Sequence, residues 1–74
     1  MSGMNVNKLK GKIVEKGLSI KTLADIIGID RATLYRKLSN NGDTLLIREA
    51  NSIVSALKLS PDEAVAIFFS SDVA

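Results

Sequence analysis

Residues 23–42 read LADIIGIDRATLYRKLSNNG. Two short apolar-periodic runs are divided by Gly28-Ile29-Asp30, and the second opens with Arg31 and carries Arg36-Lys37 near its end. A core is served as well by one longer helix, so a break after barely two turns needs its own reason. Gly28 is free to take the positive φ that stops a helix, and Asp30 is a good N-cap for a new one. Three connecting residues are too few for antiparallel packing, so the two helices must cross at a steep angle. Such a crossing needs a small side chain where the backbones approach, and Ala24 stands one turn before the break. It also needs apolar residues to lock the corner, and Leu23, Ile27, Ile29 and Leu34 are so placed. Leu38 follows Leu34 by one turn and faces inward with it. A corner built this way aims the second helix away from the core.

Working outward, the same reading yields five helical segments and no alternating strand pattern. In VNKLKGKIVEKGL, residues 6–18, Val6, Leu9, Ile13 and Val14 recur at helical spacing behind Asn5 as N-cap. Gly17 then favours a left-handed stop, with Leu18 folding back on Ile13. Gly11 costs this helix about 1 kcal/mol against Ala. Ser19 caps the second helix, expected over 20–27, with Ile20, Leu23, Ala24 and Ile27 as its core face. The third runs over about 31–39 and ends in the turn cluster Asn40-Asn41-Gly42-Asp43. A fourth begins near Leu46 or Ile47, capped by Asp43 or Thr44, and carries Ala50, Ile53, Val54 and Leu57 on one stripe as far as Lys58. The fifth is sharply marked by Ser60, Pro61 and Glu63: an N-cap, a first-position proline and a capping box. It runs to about Phe69.

The chain has 74 residues, of which 46% are hydrophobic, enough for one domain with its own core. It contains no Cys and no His, so disulfides are impossible and a transition-metal site lacks its usual ligands. No cofactor and no small-molecule ligand are expected. No apolar run approaches a membrane span, and the N-terminus lacks a signal-peptide core, which makes a cytoplasmic, nucleoid-associated location the simplest expectation. Residues 1–4 read as an appended or disordered leader around a natural start at Met4, residues 5–69 as the domain, and residues 70–74 as a frayed tail. The net charge is +2, but residues 1–48 hold nine basic against four acidic side chains, a net +5, and residues 49–74 hold one against four, a net −3. A basic front beside an acidic tail points to a polyanion on one side.

Ala24, Gly28 and Leu34, spaced by four and then six, match the signature of the helix-turn-helix, whose mechanical requirements are those set out above. The wider run LSIKTLADIIGIDRATLYRKL, residues 18–38, resembles the Cro and lambda-repressor-like group of bacterial and phage regulators. The resemblance extends over about Asn5 to Phe69, since the fourth and fifth helices also fit that all-α, five-helix domain.

It implies that the third helix lies in the major groove of double-stranded DNA, with its N-terminal residues toward base edges. Asp30, Arg31, Ala32, Tyr35 and Arg36 are then candidate base contacts. Arg31 and Arg36 suit guanine O6 and N7, Ala32 a thymine methyl, and Asp30 a cytosine amino group. Tyr35 is open between core and groove. Candidate phosphate contacts are Ser19, Lys21 and Thr22 at the second helix, with Thr33, Ser39, Asn40, Asn41 and Thr44 at and after the third. Leu23, Ala24, Ile27, Gly28, Leu34 and Leu38 form the scaffold. Many members of the group open the second helix with a polar residue, often Gln. Ile20 stands there in this chain, so Ser19 or Lys21 must replace that contact.

In the fifth helix, AVAIFF at 64–69 is apolar throughout, which marks Ile67, Phe68 and Phe69 as a candidate homodimer surface, or as core. The expected function is a sequence-specific DNA-binding regulator, a small phage or prophage repressor or Cro-like protein, dimeric on a near-palindromic operator. The alternative is an antitoxin-like or inhibitory protein-interaction module on the same fold. An enzyme is not expected, because no catalytic constellation is present: the acids are scattered over helix ends and polar faces.

Overall fold

Caps divide the chain where side-chain oxygens meet the free N–H groups of a first turn. In the computed structural model, which describes residues 3–69, the elements are α1 (Val6–Glu15), α2 (Ile20–Ile27), α3 (Arg31–Ser39), α4 (Ile47–Leu57) and α5 (Pro61–Phe68). Among the described residues there is no strand, and the domain is a five-helix, all-α unit. The expectations for residues 1–2 and 70–74 lie outside the described residues.

Four starts are capped as the sequence dictates. Asn5 Oδ1 accepts from the Lys8 N–H (3.0 Å), Ser19 Oγ from Thr22 (3.1 Å), Asp30 Oδ2 from Ala32 and Thr33 (3.0 and 3.3 Å), and Ser60 Oγ from Glu63 (3.2 Å). Glu63 reaches back to the Ser60 N–H at 2.8 Å and completes the capping box. The end of α1 is the expected one. Gly17 takes φ +74°, and the Leu18 N–H reaches the Ile13 carbonyl at 2.9 Å. The start of α4 departs from expectation. Neither Asp43 nor Thr44 caps it; the N-cap position is Leu46, whose N–H is taken by the Glu49 carboxylate at 2.8 Å from three residues inside the helix. The end of α4 is also unmarked in sequence, with Lys58 holding a left-handed φ of +53° where glycine is usual.

The core gathers Leu9 and Ile13 from α1, Leu23 and Ala24 from α2, Leu34 and Leu38 from α3, Ala50, Ile53 and Leu57 from α4, and Ile67 and Phe68 from α5. Leu9, Leu23, Leu34, Ile53, Leu57 and Ile67 are fully buried, each contributing roughly 2 kcal/mol relative to exposure. α2 packs against both α3 and α4, and α1 against α5. Val14, expected on the core stripe of α1, is 74% exposed. It stands one residue past Ile13 and so turns about 100° off the buried face.

Two further corrections concern the ends of the domain. Met4 is buried within the core, so the folded unit includes Met4, which the expected leader had taken in. The next residue is tied down as well, the Asn5 N–H meeting the Ile67 carbonyl at 2.6 Å. Ile67 and Phe68 are 0% and 2% exposed and belong to the monomer core. They are therefore unavailable as a dimer surface, and of that trio only Phe69 faces solvent. The physical reason is periodicity. Within the apolar run, Ile67 and Phe68 share the inward face, while Val65 and Phe69, four apart, share the outward one.

Candidate nucleic-acid interface

The corner between α2 and α3 is assembled from the residues that the sequence singles out. Gly28 adopts φ +80°, and the N–H groups of Gly28 and Ile29 both reach the Ala24 carbonyl, at 2.9 and 3.0 Å. Two residues later Asp30 caps the next helix. Leu23, Ala24 and Leu34 are fully buried beneath the turn, with Leu38 at 2%, and Ile27 and Ile29 are half-buried against them. The scaffold set Leu23, Ala24, Ile27, Gly28, Leu34 and Leu38 is thus one connected corner.

With two leucines turned inward, α3 presents Arg31, Ala32, Tyr35, Arg36 and Ser39 to solvent, beside the exposed Asp30. Tyr35 is 57% exposed, which resolves its two alternatives in favour of the outer face. Thr33 is half-buried, and Ser39 Oγ donates back to the Tyr35 carbonyl at 2.9 Å. A carboxylate at Asp30 also stands on this face. Its Oδ2 is occupied by the two capping N–H groups.

Two polar edges flank that face. At the start of α2, Ser19, Lys21 and Thr22 are exposed, and the hydroxyls of Ser19 and Thr22 lie 3.0 Å apart. After α3, Asn40, Asn41 and Thr44 are exposed. Asn41 takes φ +59°, a left-handed position that Asn tolerates, and the Gly42 N–H closes on the Lys37 carbonyl at 2.9 Å. Gly42 is itself buried, and a Cβ there would overlap the Met4 thioether. The N-terminal segment therefore holds the loop after α3 in place.

The structure adds one residue that the sequence reading did not single out. Exposed Lys10 of α1 lines two clefts at once. One includes Ser19, Ile20 and Tyr35, and the other includes Asn7, Ser39 and Asn41. It stands between the two candidate phosphate edges. No sequence signal marks it, because its position depends on how α1 lies across α2 and α3.

Not every cation in the basic front is available. Lys12 pairs with Glu15 at 3.1 Å and with Glu63 of α5. Lys37, which the sequence groups with Arg31 and Arg36, turns away toward Glu49 and meets both carboxylate oxygens at 2.7 and 2.9 Å. The remaining seven basic residues of this half, Lys8, Lys10, Lys16, Lys21, Arg31, Arg36 and Arg48, are exposed. Burial pushes the Glu49 carboxyl up, but Lys37 and the Leu46 N–H outweigh it and hold the group below the ordinary range. The Lys12 ammonium and the Ser60 N–H draw Glu63 down to about 2, and Lys12 is raised in turn by Glu63 and then Glu15. Among the described residues, no group of side chains is placed to hold a metal ion, and no helix is long and apolar enough to cross a membrane.

Residues 6–41 match the family model described as the helix-turn-helix domain of resolvase, a span that covers α1, α2, α3 and the start of the following turn. No curated protein and no solved structure matches the chain. The match supports a helix-turn-helix DNA-binding domain, in keeping with the helix-turn-helix corner described above, and it does not single out the Cro and lambda-repressor-like group.

Proposed function

We propose that this protein is a sequence-specific regulator of transcription that inserts α3 into the major groove of double-stranded DNA. It acts as a small repressor of the phage or Cro-like kind, dimeric on a near-palindromic operator. The observation that carries this reading is the outer face of α3. Arg31, Ala32, Tyr35 and Arg36 are exposed together on a helix held from behind by Leu34 and Leu38, with polar edges on both sides.

Base discrimination falls to Arg31 and Arg36 through bidentate pairs with guanine, each worth about 1–3 kcal/mol against the wrong base. Ala32 fits a thymine methyl. The α2 edge, the loop after α3 and Lys10 fix the helix on the phosphate backbone, supplying affinity without sequence information. Dimerisation would draw on the outward face of α5, where Val65 and Phe69 are 56% and 65% exposed, and repression would follow from occupancy of the operator. The matching helix-turn-helix model over residues 6–41 supports DNA binding through this corner.

Selection of bound duplexes from a random pool at near-physiological salt tests the reading. Enrichment of one inverted repeat is expected, with half-sites about 34 Å apart or a multiple of that. Replacing Arg31 and Arg36 together by Ala is expected to abolish the enrichment. Flat enrichment for the native protein, with all binding lost as salt rises, would remove sequence-specific regulation and favour a protein-interaction module instead.

A further inference from the structure

Glu49 is the one charged residue among the described residues that is buried. Its carboxylate takes three hydrogen bonds: two from Lys37 Nζ, at 2.7 and 2.9 Å, and one from the Leu46 N–H, at 2.8 Å. Stability alone is a poor reason for such a group, because a buried ion pair is often matched or bettered by apolar residues of similar volume. What a pair of this kind adds is direction.

The direction here is particular. Lys37 lies in the second half of α3, one residue after Arg36, and Leu46 opens α4. One carboxylate therefore pins both ends of the segment 37–46, which contains Ser39, Asn40, Asn41 and Thr44. Lys37 is also held through its backbone, its carbonyl receiving the Gly42 N–H. α2 packs against α3 and against α4, and the Lys37–Glu49 pair is the charged tie that joins α3 to α4 directly.

On the DNA-binding reading of α3, we propose that Glu49 is a positioning residue for sequence recognition. Through Lys37 and Leu46 it fixes the second half of α3 and the following loop in the pose that specific binding requires. It touches no DNA itself. A looser pose lets the phosphate contacts re-form on any duplex but displaces Arg36 from its base.

The test compares a selected duplex with a scrambled one of equal length. Glu49→Gln keeps an oxygen for the Leu46 N–H and removes the charge; Lys37→Met keeps the stem and removes the ammonium; Lys37→Arg keeps a cation for the pair. For the first two, binding to the scrambled duplex should stay within about threefold while the preference for the selected duplex falls roughly tenfold, the worth of one good base contact. Lys37→Arg should restore the preference. A merely structural pair would lower the melting temperature and leave the preference unchanged within about threefold, and that result overturns the proposal. If either single variant fails to fold, the double variant Lys37→Leu/Glu49→Leu replaces the pair with packing. It should fold and still lack preference, and a retained preference overturns the proposal equally. A native protein with no preference for any duplex would remove the DNA reading and this proposal with it, whereas native preference with unaffected variants removes this proposal alone.

Discussion

Asp30 acts in two opposed ways, and two substitutions separate them. Its Oδ2 accepts the N–H groups of Ala32 and Thr33 at 3.0 and 3.3 Å, while its negative charge stands on the face that meets DNA in the proposed reading. Asp30→Ala removes oxygen and charge together; Asp30→Asn keeps an oxygen in the capping position and removes the charge alone. Loss of a side-chain N-cap costs about 1 kcal/mol, and loss of a carboxylate from the positive end of a helix costs a further ~0.3–1 kcal/mol. In a domain of 74 residues the whole stability is roughly 4–11 kcal/mol, and each kcal/mol moves the melting temperature by about 4–8 °C. Asp30→Ala should therefore lower the melting temperature by about 5–16 °C, and Asp30→Asn by no more than about half of that.

The binding effect has the opposite sign. A carboxylate about 8 Å from a phosphate is repelled by roughly 0.5 kcal/mol in water. Physiological salt cuts this to about a third, and several phosphates contribute. Asp30→Asn should therefore strengthen binding to a scrambled duplex about two- to threefold while the protein becomes slightly less stable. Circular-dichroism melting and fluorescence-anisotropy titration of both variants decide the matter. Equal destabilisation by Asn and Ala would refute the capping argument, and weaker scrambled-duplex binding by Asp30→Asn would refute the charge argument. A loss of about tenfold confined to the selected duplex would instead show Asp30 reading a cytosine amino group.

Three other outcomes follow from the same geometry. Lys10→Ala should weaken binding to every duplex and reduce the slope of log affinity against log salt by about 0.9 per subunit, whereas Lys16→Ala, outside both clefts, should not; equal slopes for the two variants would remove Lys10 from the interface. Lys58→Gly relieves a left-handed φ of +53° and should raise the melting temperature by a few degrees, for a gain of about 1 kcal/mol; an unchanged value would argue against that backbone. Because the folded Glu63 carboxyl is lowered from 4.5 to about 2, its stabilisation is complete above pH 4.5 and is lost as the pH falls through about 2. Glu63→Gln should accordingly flatten the fall of melting temperature across that window, and an unaltered acid limb would contradict the Lys12–Glu63 pair.

What the sequence made legible was local. Ser19, Gly28, Asp30 and the Ser60-Pro61-Glu63 box act within four residues of themselves, so spacing alone locates the helix starts and the corner. The start of α4 was not legible by that route. Asp43 and Thr44 are the residue types that cap, yet the acceptor is Glu49, which works backward from inside the helix and is held there by Lys37 of another one. The same long-range pairing hid the withdrawal of Lys12 and Lys37 from the basic face, since a charge count has no knowledge of partners on α5 and α4. In the fifth helix the period was present but overwritten: a run in which every position is apolar conceals that Ile67 and Phe68 point one way and Val65 and Phe69 the other. Met4 was misjudged for a related reason. Its burial depends on the space above Gly42, and only the folded loop after α3 creates that space.

The arrangement of α3 accounts for why the chain spends two short helices where one would serve a core. At nine residues α3 is shorter than the roughly 12–15 needed for an isolated helix to persist, so it stands only on what holds it. Its buried side consists of Leu34 and Leu38, which leaves the remaining surface free but gives little purchase along its length. On the proposed DNA-binding reading, a recognition helix packed through more side chains would be firmer and would have fewer left for DNA. This one is secured at its ends: at the start by the Gly28 turn and the Asp30 cap, and at the finish by Asn41, Gly42 and the Lys37–Glu49 pair. Loosening either end changes where Arg31 or Arg36 stands without removing a single group from the outer face. The first substitutions to lose specificity without losing the fold are therefore expected at those ends, and the two leucines beneath are expected to lose both together.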